Sequence, residues 1–93
     1  MKLNKDAIKS VINYIIEKQT FNFDDGQMEP IYLTSIVTDL SGNNADRKQE
    51  IACAIVRCIN EGLIKSNYKH PAIWENATAA DVTFHGFMWL KNN

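Results

Sequence analysis

Cysteine and histidine are the residue types here best suited to metal binding or nucleophilic catalysis, and the chain holds two of each: Cys53, Cys58, His70 and His85. Their spacing fits no paired-ligand zinc pattern. On a helix, a five-residue separation turns the two thiols about 140° apart. Neither cysteine has the setting that activates a catalytic thiol. The sequence therefore predicts no metal, no cofactor and no enzymatic activity, and Cys53 and Cys58 are expected to be buried free thiols.

An acidic turn is the next candidate for ion binding. Asp24, Asp25 and Gly26 are followed by Glu29, but the alternating ligands and distant glutamate of a calcium loop are missing. The four glycines stand singly, so there is no glycine-rich phosphate loop. We expect a solvated turn entered by a short extended segment.

Polar residues able to contact nucleic acid cluster at the start of residues 43–63. They are Asn43, Asn44, Arg47, Lys48 and Gln49, types that can contact guanine, adenine or phosphate. Lys65 and Lys69 follow the segment and would lie beside the DNA backbone. Asp46 and Glu50 share the same stretch and would repel phosphate, and the whole chain has a net charge of only −1.

Aromatic residues support a different class of partner, another protein. Tyr14, Phe21, Phe23, Tyr68, Trp74 and Trp89 are numerous for a core this small. Exposed aromatic side chains often dominate the binding energy of protein interfaces. Each of them is also a candidate for ordinary core or loop packing.

Residues 43–63 are predicted to form the central helix that positions the polar cluster. Ile51, Ile55 and Ile59 recur on one face, with Ala52, Val56 and Cys58 beside them. Asn43 or Asn44 is the expected N-terminal cap, and Gly62 the expected left-handed end, with Leu63 folding back on the last turn.

Other elements follow from similar patterns. A first helix begins after the cap Asn4, residues 31–33 have strand composition, and Thr34 or Ser35 caps a short second helix ending near Leu40. Residues 63–65 and a segment ending at Val82 are expected strands, while residues 76–81 carry little signal. Thr83 caps a last helix whose expected buried residues are Phe84, Phe87, Met88 and Leu90, with Trp89 beside them.

Length and composition fit one soluble domain over residues 1–93. The chain is 45% apolar and 23% charged, and no apolar run approaches the roughly 20 residues that cross a bilayer. We expect a cytoplasmic protein without a membrane partner.

Three sequence segments resemble parts of winged helix-turn-helix domains: NEGLI at residues 60–64, IYL at residues 31–33 and VTFHGFMWL at residues 82–90. Together with the opening MKLN, the whole chain resembles a family of short, uncharacterised winged-helix proteins of phages, prophages and Gram-positive bacteria. The resemblance implies an α+β, mainly helical domain with about four helices and a small antiparallel β-hairpin wing.

The same resemblance implies a binding module without catalytic residues. The leading hypothesis is a small phage or mobile-element regulator that contacts double-stranded DNA through the third helix and the wing, as a homodimer in one variant. The alternative is an accessory or inhibitory factor that binds a host or phage protein and has no DNA surface.

Overall fold

Four α-helices and five short strands make up most of the computed structural model, which describes residues 4–69 and 74–93. The elements are α1 (Lys5–Lys18), β1 (Phe21–Asn22), β2 (Gln27–Met28), β3 (Ile31–Tyr32), α2 (Leu33–Ser41), α3 (Ala45–Asn60), β4 (Ile64–Ser66), β5 (Thr78–Val82) and α4 (Phe84–Asn92). A short 3-10 helix, Trp74–Asn76, precedes β5. The predicted α+β class, mainly helical with small antiparallel sheets, is confirmed.

The larger sheet has three strands in the order β3-β5-β4, all antiparallel. Ile31 pairs with Ala79, and Ile64 pairs with Val82, so β5 is the central strand. β5 ends at Val82, as predicted, and extends back over residues that carried little sequence signal. β1 and β2 form a separate two-stranded hairpin, in which Phe21 pairs with Met28.

The core lies where α1, α2 and α3 meet the three-stranded sheet. Its largest fully buried aliphatic side chains come from all three helices: Ile8, Ile12 and Ile15, then Leu33 and Ile36, then Ile51 and Ile55. Each side chain of this size stabilises the fold by about 1.5–3 kcal/mol when fully buried. Ala79 and Val82 cover the core from β5.

The predicted helix ends are confirmed at four places. Asn4, Asn44 and Thr83 each accept a hydrogen bond from a backbone N–H of the first helical turn, at 3.0, 2.9 and 3.0 Å. Gly62 has a φ of +71°, which favours glycine, and the Leu63 N–H donates to the Cys58 carbonyl at 2.8 Å. The Gly62 N–H also donates to the Ile59 carbonyl at 3.2 Å, and these two bonds end α3 and direct the chain into β4.

Two predictions about α2 and α3 need correction. α2 begins at Leu33, earlier than a cap at Thr34 or Ser35 would allow, and Tyr32 precedes it without a side-chain capping bond. In α3 the buried residues are Ile51, Ala54, Ile55 and Cys58, whereas Ala52, Val56 and Ile59 are only half-buried. The buried face is rotated because α1 covers the side of α3 that carries Ala54. Among the described residues, every helix is too short or too polar to cross a bilayer.

Candidate functional site

The residues expected to read DNA surround the first two turns of α3. α3 follows α2 after a turn of three residues, in which Gly42 has a φ of +59°. Asn43, Lys48 and Gln49 are exposed there. Exposure leaves these three side chains available for polar contacts.

Asn44 and Arg47 are already engaged within the chain. The Asn44 side-chain oxygen caps α3 by accepting from the Arg47 N–H at 2.9 Å. The Arg47 guanidinium contacts the Glu50 carboxylate at 3.1 Å, and the Asn4 amide donates to the same carboxylate oxygen at 3.3 Å. A phosphate would have to compete with Glu50 for Arg47, although an exposed pair of this kind stabilises by only about 0.2–1 kcal/mol.

Charges of both signs surround this part of α3. An open groove of about 980 Å³ lies between the start of α1 and α3, and its lining includes Asp6, Asp46 and Glu50 as well as Lys5 and Arg57. The carboxylates raise the electrostatic cost of bringing a phosphate there, and the two cations lower it. The charges that line the groove therefore nearly balance.

The two lysines expected in the wing differ in their surroundings. Lys65 lies on β4 directly opposite Asp81 of β5, so its nearest cross-strand neighbour is a carboxylate. Lys69 is exposed and lies beside the undescribed residues 70–73. His70 lies outside the described residues. Within residues 4–69 and 74–93, four of the seven predicted DNA contacts make no such capping bond, ion pair or cross-strand contact: Asn43, Lys48, Gln49 and Lys69.

Four of the six aromatic candidates pack against the core and are only half-buried: Tyr14, Tyr68, Trp74 and Trp89. Tyr68 and Trp74 contact each other edge to face, with ring centroids 5.1 Å apart. The Tyr14 hydroxyl donates to the Asp39 carboxylate, joining α1 to α2. Partial burial, reinforced by the hydrogen bond and negative charge of Asp39, raises the pKa of Tyr14 to about 12.

Phe21 and Phe23 are the aromatic candidates with a surface role. Phe23 is 89% exposed and Phe21 44% exposed, and their ring centroids lie 5.0 Å apart in an edge-to-face arrangement. We call residues 21–28 the aromatic hairpin. Two adjacent exposed rings form an apolar patch available to another molecule.

The turn of the aromatic hairpin is held by local hydrogen bonds. The Asn22 side chain accepts from the Asp24 N–H at 2.9 Å, and the Asp25 side chain accepts from the Gln27 N–H at 3.2 Å. Gly26, with a φ of +70°, donates its N–H to the Asn22 carbonyl at 2.9 Å. The expected solvated turn is confirmed, and its hydrogen bonds fix the backbone that carries Phe21 and Phe23.

α4 differs most from the sequence-based expectation. Phe84, Phe87 and Met88 were expected to be buried but are 82%, 44% and 40% exposed. Gly86 is the buried residue of α4, and Leu90 and Trp89 are half-buried. The inward face is therefore the one that carries Gly86, Trp89 and Leu90, whereas Phe84 points to solvent and Phe87 and Met88 are partly covered.

Gly86 and Thr83 fix how α4 lies on the domain. A Cβ at Gly86 would overlap the Leu63 carbonyl oxygen and lie 2.7 Å from Val82 Cγ1. The Thr83 hydroxyl donates to the Gly62 carbonyl at 2.6 Å, and the Thr83 N–H donates to the Leu63 carbonyl at 3.0 Å. The close backbone approach requires glycine and sets which face of α4 is outward.

In the part of the chain that the structure describes, neither thiol lies in an arrangement that indicates catalysis. Burial raises the pKa of Cys58 to about 12, which keeps this thiol protonated and unreactive at neutral pH. Cys53 is only half-buried, contrary to expectation, and lines the groove between α1 and α3. Across residues 4–69 and 74–93, no three Cys, His, Asp or Glu side chains lie close enough together to hold a metal ion.

Comparison with known proteins returned no relative. The chain matches no protein-family model, and it has no match among curated proteins or solved structures.

Proposed function

We propose that the chain is a winged helix-turn-helix module that acts without catalysis by binding another protein, as an accessory or inhibitory factor. The order of elements supports this fold: α1, β3, α2, a three-residue turn and α3 are followed by the β4 and β5 pair. The strand order β3-β5-β4 is compatible with β4 and β5 as the arms of the wing.

The aromatic hairpin is the observation that carries the protein-binding proposal. Phe23 is 89% exposed on a turn whose backbone is fixed by hydrogen bonds, so little backbone conformational entropy is lost when the ring is buried. Exposed aromatic side chains are typical anchors of protein interfaces.

Charge narrows the kind of partner. Residues 20–30 contain Asp24, Asp25 and Glu29 and no lysine or arginine, so the apolar pair has an acidic border. Its complement is an apolar pocket bordered by lysine or arginine. An acidic border also disfavours nucleic acid at this end of the molecule.

Capture from host extract tests the proposal. Immobilised wild-type chain should retain a protein from the extract. The double variant Phe21→Ser with Phe23→Ser should retain at least about tenfold less of that protein, because both anchor rings are removed. Tyr32→Ser is the matched control, since Tyr32 is 56% exposed and lies outside the hairpin, and capture should be unchanged. Equal capture by the double variant would refute this use of the hairpin.

The acidic border has its own test. Asp24→Asn with Asp25→Asn should slow association with the captured protein and reduce its dependence on salt, because attraction between opposite charges mainly sets the association rate. Asp25 also accepts a turn hydrogen bond, which an asparagine side chain can still accept. Unchanged association kinetics would refute the proposal that the partner's pocket is bordered by lysine or arginine.

DNA binding is the second candidate, and one observation favours it. Asn43, Lys48 and Gln49 are exposed where α3 leaves the three-residue turn, the position from which a recognition helix contacts base edges. Lys69 would add a backbone contact.

A mobility-shift titration distinguishes this candidate from protein binding. If α3 binds DNA, random duplex at about 50 mM salt is bound weakly, and binding falls steeply as salt rises. Lys48→Glu with Lys69→Glu should then abolish the shift, whereas Phe21→Ser with Phe23→Ser should leave it intact. The absence of a shift at high micromolar protein would exclude DNA binding by this surface.

A further inference from the structure

We propose that the aromatic hairpin imitates a short piece of single-stranded nucleic acid, and that the protein it binds is one whose own groove binds nucleic acid. The rings of Phe21 and Phe23 take the place of two bases, and the carboxylates beside them take the place of phosphates. This inference rests on the proposed function, because it names the kind of protein that the same surface binds.

Negative charge is concentrated in the part of the chain that contains the hairpin. Residues 19–46 contain five acidic residues and no lysine or arginine, whereas residues 47–70 contain five lysines and arginines and two acidic residues. All five carboxylates of the first span are exposed: Asp24, Asp25, Glu29, Asp39 and Asp46. The exposed rings therefore lie in a span with a net charge of −5, and their complement is a strongly basic surface.

Neighbouring cations do not neutralise the carboxylates of the hairpin. Among the residues that the structure describes, the ion pairs are Arg47 with Glu50 and Arg57 with Glu61, and both lie within α3 and its C-terminal cap. In this part of the chain, no lysine or arginine is therefore paired with an acidic residue of the hairpin. These carboxylates keep their charge available for a partner.

The combination of exposed rings and carboxylates is unusual for an ordinary protein interface. Aspartate and glutamate are depleted from such interfaces, because charged groups lose hydration when they are covered. Here Asp24 directly follows Phe23 in the chain, and Asp25 comes next. A partner that covers these groups together must offer dense positive charge beside an apolar or aromatic surface.

Grooves that bind single-stranded nucleic acid have this composition. Their lysine and arginine side chains follow the phosphates, and their aromatic side chains stack on unpaired bases. Phe23 is 89% exposed and Phe21 44% exposed, and the two rings meet edge to face at 5.0 Å rather than stacking on each other. Each ring therefore keeps surface on which a side chain of the partner can stack, as an unpaired base does.

The dimensions of the hairpin limit the imitation to a few nucleotides. Residues 20–30 fold back on themselves, so each arm has about five residues and a length of about 16 Å. Three carboxylates over this length give about one negative charge per 5 Å, compared with about 3.4 Å per phosphate along one DNA strand. The hairpin therefore matches about five stacked nucleotides in length, at a somewhat lower charge density.

Release of the captured protein by competitors tests the imitation. Nuclease-treated host extract is applied to the immobilised chain, and only proteins whose retention requires Phe21 and Phe23 are followed. Single-stranded DNA of about 20 nucleotides should release them at a charge concentration at least about tenfold lower than polyglutamate, which carries carboxylates but no rings. Equal release by polyglutamate, or no release by DNA, overturns the proposal.

The reverse competition measures the contribution of a ring. The released protein is bound to the same DNA carrying a fluorescent label, and the wild-type chain should displace the DNA in an anisotropy titration. Phe23→Ser should raise the concentration needed for half displacement by at least about tenfold, because a stacking ring is removed. Tyr32→Ser is the control and should leave that concentration unchanged, since Tyr32 lies outside the hairpin. Equal displacement by the Phe23→Ser chain and the wild type contradicts the imitation.

The contribution of the carboxylates is tested with two pairs of substitutions that change the net charge equally. Asp24→Asn with Asp25→Asn should weaken displacement by at least about threefold at low salt, because two substitutes for phosphate are lost. Glu17→Gln with Asp46→Asn is the matched control, since both residues are exposed outside the hairpin, and its effect should be less than about twofold. Equal weakening by the two pairs would mean that only the overall charge matters, and the imitation would be refuted.

These outcomes separate the imitation from the proposed function. If proteins are retained through Phe21 and Phe23 but DNA does not release them, protein binding stands and only the imitation is refuted. If no protein is retained through these rings, both are refuted.

Discussion

Neighbouring side chains of the same type have different roles in this domain, according to their local partners. Asn44 caps α3, while the adjacent Asn43 is exposed. Arg47 is paired with Glu50 at 3.1 Å, while the adjacent Lys48 is exposed. Composition alone therefore overstates the number of groups available to an anionic ligand at the start of α3.

The contact between Tyr14 and Asp39 should be visible in the alkaline titration of the protein. The folded-state pKa of Tyr14 is about 12, compared with about 10 for an exposed tyrosine. Because the folded pKa is the higher one, the proton stabilises the fold fully below pH 10, and this contribution is lost as the pH rises through about 12.

Ultraviolet absorbance of the phenolate checks this prediction. Titration of the native chain should show a late phase that Tyr14→Phe removes, and that unfolding in denaturant shifts to lower pH. Tyr32→Phe is the control and should keep the late phase. A native titration that Tyr14→Phe leaves unchanged would contradict the assigned contact.

At the scale of elements, one glycine determines how α4 lies on the sheet. Gly86→Ala should lower the free energy of unfolding by about 1–3 kcal/mol, since the added methyl overlaps the Leu63 carbonyl and contacts Val82. Alanine is otherwise the better helix former by about 1 kcal/mol, so a loss of stability identifies the contact as the cause.

Urea unfolding monitored by circular dichroism measures the effect of Gly86→Ala. His85→Ala is the matched control, because His85 is the exposed preceding residue of α4 and its removal should change stability by less than about 0.5 kcal/mol. Stabilisation of the chain by Gly86→Ala would mean that α4 does not approach Leu63 so closely.

Local patterns predicted the elements whose signals lie within a few residues. The caps Asn4, Asn44 and Thr83 and the end of α3 at Gly62 are such cases, since each depends on hydrogen bonds between groups no more than five residues apart. The buried side of α1 was also predictable, because its isoleucines fall on one stripe.

Tertiary contacts determine the features that local patterns did not predict. The end of β5 at Val82 was predicted, but its extent back to Thr78 was not, because this segment is rich in alanine and pairs with β3 and β4, which are distant in the chain. In α4 the apolar residues occupy most of the helix surface, so their pattern does not select an inward side. Close packing at Gly86 makes that selection, and a glycine carries no hydrophobic signal.

The candidate surfaces likewise include residues whose exposure was predictable from local sequence and residues whose exposure depends on tertiary packing. Phe21 and Phe23 were identified from their type and from the adjacent turn, and both are exposed. The exposure of Phe84, Phe87 and Met88 was missed because these residues were assigned to the core. Whether an apolar residue is exposed depends on how the other elements pack around it. The spacing of residues along one helix carries no information about that packing.

At the scale of the whole molecule, one apolar core joins the three-helix unit to the sheet. Residues from α1, α2, α3, β4 and β5 belong to a single buried cluster, and Tyr68, Trp74 and Trp89 pack against it from outside. The aromatic hairpin lies outside this cluster. Phe23 is 89% exposed and can therefore be replaced with little effect on stability, so a binding test on Phe23 reports on the surface itself.

A matched pair of substitutions in α3 tests whether this core unfolds as one unit. Ile55 is fully buried and Ile59, one turn later, is half-buried, so the same change to alanine is made in two environments. Ile55→Ala should lower the free energy of unfolding by about 2–5 kcal/mol, and Ile59→Ala should lower it by less, because a smaller cavity is left. For both variants, tryptophan fluorescence and far-ultraviolet circular dichroism should give coincident urea transitions, since Trp74 and Trp89 pack on the cluster that α3 shares. Separate transitions, or equal losses for the two variants, would contradict a single core centred on Ile55.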